Sequence, residues 1–294
     1  MYPIDYIDPV FRPPSEARSL ILQVTNGCSW NQCTFCEMYT APQKRFQPQP
    51  MEALEQQLQS LASAGYPVRR VFLADGDAMA LSVRRLKEIL TLIRHYYPDV
   101  QRISSYCLPR NLKKKSVQEL AELKELGLSL MYVGCESGDN DVLTLVEKGE
   151  SFDSSLEALS KIKSAGMKSS VMILNGLGGE ALSHQHAANS ARLMNAAQPD
   201  YLSTLVVSFP MGDDRYQENF KDSFVPLTQQ GLFSEMKTLL QTLELQQTIF
   251  RSDHASNYLV LKGVLGKDKA AMLEQVDLAL NGRIALRQEW QRGL

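Results

Sequence analysis

From Leu20 onward, apolar runs of strand length alternate with amphipathic segments of helix length. Runs rich in Val, Ile, Tyr or Phe and bounded by turn residues are typical of strands. Six strands are predicted: Leu20–Thr25, Arg70–Ala74, Arg102–Leu108, Leu128–Gly134, Lys168–Asn175 and Tyr201–Phe209. Five helices are predicted between them: Met51–Ala64, Leu81–Tyr97, Ser116 to about Gly127, Asp153–Ala165 and Ser183–Ala197. Ser116 and Glu119 stand at the spacing of a capping box, which marks the start of the third helix.

Repeated strand–helix units predict a parallel sheet with right-handed crossovers. Parallel strands are usually covered on both faces, which explains why these strands are continuous apolar runs and not alternating patterns. Periodicity leaves open whether the sheet curls into a partial barrel or stays flat and open. In both cases a functional site is expected at the carboxyl ends of the strands.

The segments that flank this repeat have a different texture. Residues 1–19 are rich in proline and predict an irregular N-terminal segment, followed by a core domain over 20–220. Residues 211–230 are polar and loop-like, whereas 231–250 and 268–290 have helical patterns. We therefore expect a helical C-terminal extension over 221–294.

Composition narrows the class of protein. The 294 residues include 31 basic and 33 acidic side chains, a net charge of −2, so no global positive field favours nucleic acid. The run Lys113–Lys115 is too short to act as a basic tail. The N-terminus lacks the pattern of a signal peptide, and no apolar run approaches the ~20 residues that span a membrane. We expect a cytoplasmic protein whose five cysteines are thiols or metal ligands.

Three cysteines, Cys28, Cys33 and Cys36, lie on the loop that follows the first predicted strand. Thiolates at such short spacing can converge on a soft metal or an iron–sulfur cluster. A structural zinc site normally has four ligands, and no second ligand pair with zinc spacing follows in the chain. Three ligands favour a cluster with one open iron. The alternatives are three unrelated buried cysteines, or a zinc site.

The loop resembles the signature of the radical SAM superfamily, usually Cys-x₃-Cys-x₂-Cys, with one additional residue in the first gap. Phe35, just before the last cysteine, also fits the family. The resemblance implies one [4Fe–4S] cluster on the three cysteines, with S-adenosylmethionine (SAM) bound to the open iron. It further implies a partial (β/α)₆ TIM-like barrel, oxygen sensitivity, and an external one-electron donor such as flavodoxin or ferredoxin.

Motifs at later strand ends extend the resemblance. Asp75-Gly76-Asp77 stands where the family receives the methionine ammonium of SAM, although Asp-Gly is also common in plain turns. Glu136 and Ser137, in Gly134-Cys135-Glu136-Ser137-Gly138, resemble a SAM-contacting segment. The subgroup with that segment contains the oxygen-independent coproporphyrinogen oxidase, the Elongator catalytic subunit and the methylthiotransferases. Gly176 opens a Gly-rich stretch similar to another of this subgroup. Helix-capping turns are the alternative.

Other polar side chains permit two interpretations each. Cys107 and Cys135, near the ends of the third and fourth strands, either pack in the core or donate a hydrogen atom to a substrate radical. His184 and His186 are expected at the surface or a helix end, with reach into the cavity as the alternative. The segment Phe250–Tyr258 includes four candidate substrate contacts: His254, Ser256, Asn257 and Tyr258. It is either a functional loop or a structural turn.

The sequence therefore predicts a radical SAM enzyme that cleaves SAM and abstracts hydrogen from a small-molecule substrate. A tRNA-modifying enzyme is an alternative, disfavoured by the weakly acidic charge and the lack of an added RNA-binding domain. A haem-trafficking protein that keeps the cluster without turning over SAM is a second alternative.

Overall fold

The computed structural model describes residues 2–209, 212–221 and 223–292, and the chain folds as two compact units. The first unit comprises Met1–Asn31, Cys36–Val133 and Ser160–Ser169. The second comprises Gln32–Phe35, Gly134–Leu159 and Ser170–Leu294. The cysteine loop therefore contributes to both units.

The first unit contains most of the predicted early repeats. Its strands are β1 (Leu20–Gln23), β2 (Thr25–Asn26), β3 (Gln47–Pro48), β4 (Arg70–Ala74), β5 (Arg102–Cys107) and the larger part of β6 (Leu128–Glu136). Its helices are α1 (Met51–Ser63), α2 (Val83–Tyr96) and α3 (Val117–Glu125). The predicted capping box is confirmed, because Ser116 and Glu119 cap each other's backbone at the start of α3.

Strands β1, β4, β5 and β6 pair side by side in parallel, so their carboxyl ends share one edge. Strands β2 and β3 form a separate antiparallel pair, Thr25 opposite Pro48 and Asn26 opposite Gln47. This short pair closes the base of the loop 27–46, which carries the three candidate cysteine ligands.

The second unit continues with α4 (Asn140–Leu145), the larger parts of α5 (Phe152–Ser164) and β7 (Lys168–Asn175), and then α6 (Gly179–Ala197) and β8 (Tyr201–Val206). Then follow α7 (Asp214–Asn219), α8 (Gln229–Thr242), β9 (Ile249–Ser252), β10 (Leu261–Val264) and α9 (Leu265–Leu280). Strands β7, β8 and β9 are parallel, and β10 is antiparallel to β9. The strand order of the sheet is β1-β4-β5-β6-β7-β8-β9-β10.

The predicted α/β class with a mainly parallel sheet is confirmed, and β4 and β7 have the predicted bounds. The C-terminal region differs, because α8 ends at Thr242 and two strands follow it. Strand β9 has only four residues, of which Arg251 is exposed, so it lacks the apolar run that marks the other strands. Helix α7 lies within a region predicted as loop.

Each unit has its own apolar core. In the first, Ile21, Phe72 and Ala74 pack against Tyr6, Val10, Tyr106 and Tyr132. In the second, an aromatic group around Tyr216, Phe220 and Phe224 packs on the ends of β7 and α4. Within the described residues, every helix is too short or too polar to cross a membrane.

Candidate cofactor site

The cysteine loop begins at Gly27, whose φ of +68° and close approach to the opposite arm of the loop require glycine. A Cβ atom at this position would lie 1.9 Å from the carbonyl oxygen of Lys44. Cys28 and Cys36 are partly exposed in the first unit, and Cys33 is buried in the second. The loop therefore has a fixed base, and two of its three cysteines are partly exposed.

Asp75 follows β4 and is completely buried in the first unit. Its carboxylate forms an ion pair with Lys44, which is also fully buried and donates to the carbonyl oxygen of Ile7 over 2.8 Å. Gln23 donates to the same carboxylate oxygen over 3.3 Å. The second oxygen, Oδ1, is buried without a hydrogen-bond partner. Because a buried acceptor normally has a donor, Oδ1 is suited to a donor group on a ligand.

Gly76 and Asp77 fasten the cysteine loop to the end of β4. A Cβ atom on Gly76 would lie 2.7 Å from the Tyr39 ring and 3.0 Å from Cys28 Cβ, so glycine is needed for this packing. The buried Asp77 carboxylate accepts from the Ser29 backbone N–H over 2.9 Å and from Asn111 over 3.3 Å. Burial raises the pKa of Asp77, and the hydrogen bonds from Ser29 and Asn111 oppose that rise. Both Asp77 oxygens are thus engaged in holding the loop.

Glu136, at the end of β6, has a φ of +64°, an uncommon conformation for a residue other than glycine. Its Oε1 accepts from Lys148 over 3.0 Å, and both side chains are buried. A Cβ atom on Gly134 would lie 2.2 Å from Glu136 Oε1, so glycine leaves room for the carboxylate. Glu136 Oε2 is buried without a hydrogen-bond partner. Such an outlier beside an unsatisfied acceptor is typical of a ligand-binding position.

Ser137 belongs to a buried network in the second unit. Its hydroxyl lies 2.8 Å from His186 Nδ1 and accepts from the Asp139 backbone N–H over 2.9 Å. His186 Nε2 lies 3.0 Å from the carbonyl oxygen of Leu174. The expected surface or helix-end position is therefore wrong for His186, which is 1% exposed on the inner face of α6, whereas His184 is exposed.

Gly176 has a φ of +83° and follows the last residue of β7. Its N–H donates to Glu235 of α8 over 2.6 Å, and Ser183 donates to the other Glu235 oxygen over 2.7 Å. The nearest Glu235 oxygen lies 4.0 Å from His186 Nε2. The Gly-rich turn after β7 is thus held by a buried carboxylate from a helix outside the six predicted repeats.

Cys107 and Cys135 are both buried. Cys107 Sγ lies 3.3 Å from the carbonyl oxygen of Leu108. Burial raises the pKa of Cys135 to about 12, although the charge of Lys148 opposes the rise. A fully buried, protonated thiol is typical of a packing cysteine. These observations favour the core interpretation over hydrogen-atom donation.

The segment 253–258 follows the carboxyl end of β9, and its polar side chains are mostly turned to the backbone. Asn257 accepts from the Val206 N–H over 3.0 Å and donates to the Thr204 carbonyl over 2.8 Å. His254 Nδ1 accepts from the Ser256 N–H over 3.1 Å, and burial lowers the pKa of His254. Arg287 donates to the carbonyl oxygens of three residues of the segment. Tyr258 donates to Glu289 over 2.5 Å. The segment is therefore a clamped turn beside β8.

Comparison with known proteins shows the family and the fold of this chain. Residues 22–191 match the family model of the radical SAM superfamily. The chain belongs to the radical SAM superfamily. It is 25% identical over 183 residues to the heme chaperone HemW of Bacillus subtilis (strain 168), a match that covers 59% of this chain and 47% of HemW. The chain thus spans about half the length of this curated relative.

Two solved structures show the same fold. Coproporphyrinogen III oxidase HemN from Escherichia coli superposes with a TM-score of 0.58 at 20% identity, over 76% of this chain and 50% of HemN. Methylornithine synthase PylB superposes with a TM-score of 0.53 at 17% identity, over 88% of this chain and 68% of PylB. The predicted partial TIM-like α/β barrel of the radical SAM superfamily is confirmed by these likenesses.

Radical SAM proteins use a [4Fe–4S] cluster and SAM, and the donor chemistry of this chain fits both. Three thiols within nine consecutive residues suit an iron–sulfur cluster. The unpartnered oxygens of Asp75 and Glu136 suit ammonium or hydroxyl donors. Over the part of the chain that the structure describes, no three His, Cys, Asp or Glu side chains are grouped closely enough to hold a single metal ion. The support for the cysteine ligands is their donor type and their spacing in the sequence.

Sequence reasoning missed the basic partners of the two carboxylates, Lys44 and Lys148, and the buried Glu235. Lys44 is 31 residues from Asp75, and Glu235 is 59 residues from Gly176. Lys148 is only 12 residues from Glu136 and follows the same strand closely. No local pattern marks the other two, because their partners are set by tertiary packing.

Proposed function

We propose that this chain is a radical SAM enzyme that holds one [4Fe–4S] cluster on Cys28, Cys33 and Cys36 and abstracts hydrogen from a small-molecule substrate. The observation that supports this most strongly is the cysteine triad on a loop fastened to β4 through Gly76 and Asp77. Membership of the superfamily supports the chemistry.

When bound, the reduced cluster supplies the electron that splits SAM into methionine and a 5′-deoxyadenosyl radical. The residues of the chain position SAM and limit its exposure to water. In this proposal Asp75 Oδ1 accepts from the SAM ammonium, while Lys44 pairs with the other carboxylate oxygen. Glu136 Oε2 accepts from a ribose hydroxyl. Phe35 and the Gly176 turn flank the cofactor, and Ser137 and Asp77 fix the surrounding backbone.

The remaining parts of the proposal concern partners and substrate. An external one-electron donor such as flavodoxin or ferredoxin reduces the cluster, and the protein acts in the cytoplasm. The net charge of −2 supports a small molecule over nucleic acid. His254, Ser256, Asn257 and Tyr258 are proposed to contact the substrate, mainly through the clamped backbone of their turn.

Anaerobic reconstitution tests the proposed activity. The protein is loaded with iron and sulfide, reduced with dithionite and given SAM, and 5′-deoxyadenosine is measured by mass spectrometry. We expect 5′-deoxyadenosine from the wild-type chain and none from Cys28→Ala, Cys33→Ala or Cys36→Ala, each with lost iron. The matched variants Cys107→Ala and Cys135→Ala should keep the cluster. Zinc in place of iron, or a loaded protein that leaves SAM intact, would contradict the proposal.

A second candidate function is haem binding without SAM turnover, favoured by the 25% identity to the heme chaperone HemW. Titration of the cluster-loaded protein with haem, followed by absorbance, tests it. Saturable one-to-one binding together with an absence of 5′-deoxyadenosine would support the chaperone role. Weak, non-saturating haem binding together with SAM cleavage would support the enzyme.

A further inference from the structure

A buried cation lies beside the segment that carries the second cysteine. Within the second unit, the N–H of Thr34, next to Cys33, donates to the carbonyl oxygen of Val146 over 3.1 Å. Lys148 follows Val146 by two residues, and its ammonium lies 5.8 Å from the centre of the Phe35 ring. The cysteine segment thus packs on the end of α4, directly against the chain that carries Lys148.

Lys148 keeps its charge despite being buried. Its side chain is 4% exposed and that of its partner Glu136 is 9% exposed. Burial alone would lower the pKa of Lys148, but attraction to Glu136 and then to the Cys33 sulfur raises it above the ordinary value. The segment Gln32–Phe35 is therefore accompanied by the buried Lys148–Glu136 ion pair, in a region where water screens little.

We infer that the Lys148–Glu136 pair sets the reduction potential of the cluster through the sulfur of Cys33, with Lys148 favouring and Glu136 opposing the reduced state. The inference rests on the proposed function, since it requires Cys33 to be a cluster ligand. Reduction adds one electron from the external donor and takes the cluster from the 2+ to the 1+ state. A nearby cation stabilises that added negative charge and a nearby anion destabilises it, and nearby charge is one of the determinants of cluster potential.

The two members of the pair are expected to shift the reduction potential in opposite directions, and this difference can be tested. Lys148→Met removes the positive charge, Glu136→Gln removes the negative charge at nearly constant shape, and Lys148→Arg keeps the positive charge. Potentials are measured by anaerobic dye-mediated titration, with the reduced cluster followed by electron paramagnetic resonance. At the wild-type midpoint potential, we expect Lys148→Met to lower the ratio of reduced to oxidised cluster about tenfold. For a one-electron couple this corresponds to a shift of the midpoint by about 59 mV. Glu136→Gln should shift the midpoint the opposite way, and Lys148→Arg should match the wild type.

Two control variants distinguish an effect of charge on the potential from an effect of the substitution on the structure. The double variant Glu136→Gln/Lys148→Met should lie between the two single variants. Lys87→Met, which breaks an exposed ion pair with Glu122, should leave the potential unchanged. If both single variants shift the potential in the same direction, or neither shifts it, the inference is wrong. If Lys148→Met does not fold, a comparison of Glu136→Gln with Lys148→Arg still gives the direction in which charge shifts the reduction potential.

Failure of the inference differs from failure of the proposed function. A wild-type chain that binds no cluster or leaves SAM intact contradicts the proposed function. A wild-type chain that cleaves SAM, with variants that keep full iron content and an unshifted potential, contradicts only the role of the pair.

Discussion

The carboxylate of Glu235 gives the sharpest prediction about stability. Its side chain is 1% exposed, and its two oxygens accept from the Gly176 N–H over 2.6 Å and the Ser183 hydroxyl over 2.7 Å. Glu235→Ala removes both acceptors and leaves the Gly176 N–H buried without a partner. Each hydrogen bond to a charged group contributes about 1.5–3 kcal/mol. We therefore expect a loss of roughly 3–5 kcal/mol in the free energy of unfolding.

Two matched variants apportion that loss. Glu235→Gln keeps one acceptor oxygen and nearly the same volume, so it should cost about 1–2 kcal/mol. Ser183→Ala removes only one of the two hydrogen bonds and should cost a similar amount. Urea unfolding of the reduced, cluster-free protein, followed by circular dichroism, measures all three variants. An unchanged slope with a shifted midpoint indicates a change in stability alone.

The prediction has a clear refutation. If Glu235→Ala unfolds within about 1 kcal/mol of the wild type, the Gly176 N–H has found another partner and the turn does not depend on α8. If Ser183→Ala costs as much as Glu235→Ala, the Gly176 hydrogen bond contributes nothing. In the predicted case, the cluster-loaded Glu235→Gln protein should retain its iron while its affinity for SAM falls, because the Gly176 turn loosens.

Three further predictions follow from buried contacts. Gly76→Ala should lose iron on reconstitution, because its Cβ would lie 2.7 Å from the Tyr39 ring. Gly65→Ala is the control, because at its φ of +73° the added Cβ strains the backbone but meets no neighbour. Equal iron in both variants would refute the packing argument. Lys44→Met should lower the free energy of unfolding by about 3–5 kcal/mol, because it leaves the buried Asp75 carboxylate without its ion-pair partner. Thermal unfolding near pH 7 measures the change, and an unchanged stability would contradict the ion pair. Burial raises the pKa of Cys135 to about 12, so the thiol stays protonated at pH 8. Iodoacetamide should therefore label Cys135 only after unfolding, as measured by peptide mass spectrometry. Rapid labelling of the folded chain would contradict its burial.

The strands and helices of the repeat could be predicted from the sequence, because burial of the strands and of one face of each helix leaves a pattern of apolar residues. Strands β4 and β7 are apolar runs and have the predicted bounds, and the capping box at Ser116 fixed the start of α3. Strands β9 and β10 could not be predicted. Each has four residues, and they become strands through pairing with β8 and with each other.

The candidate site divides in the same way. Cys28, Cys33 and Cys36 are close in sequence. Asp75 and Gly176 directly follow apolar strands and Glu136 lies at the end of one, so the chain itself marks them. His186 shows the opposite case. It lies on a helix with a weakly patterned sequence, and only the fold shows that it is buried between Ser137 and Leu174.

The sequence by itself determined the order of the six predicted strands and the five helices between them, the cysteine triad and the superfamily. The tertiary structure alone decided which polar groups satisfy one another: Lys44 with Asp75, Lys148 with Glu136, and Glu235 with Gly176. The physical reason is that periodicity reports which face of a helix or strand avoids water. A buried charge or N–H needs a specific partner at hydrogen-bond distance, and residues far apart in the chain supply it only after packing.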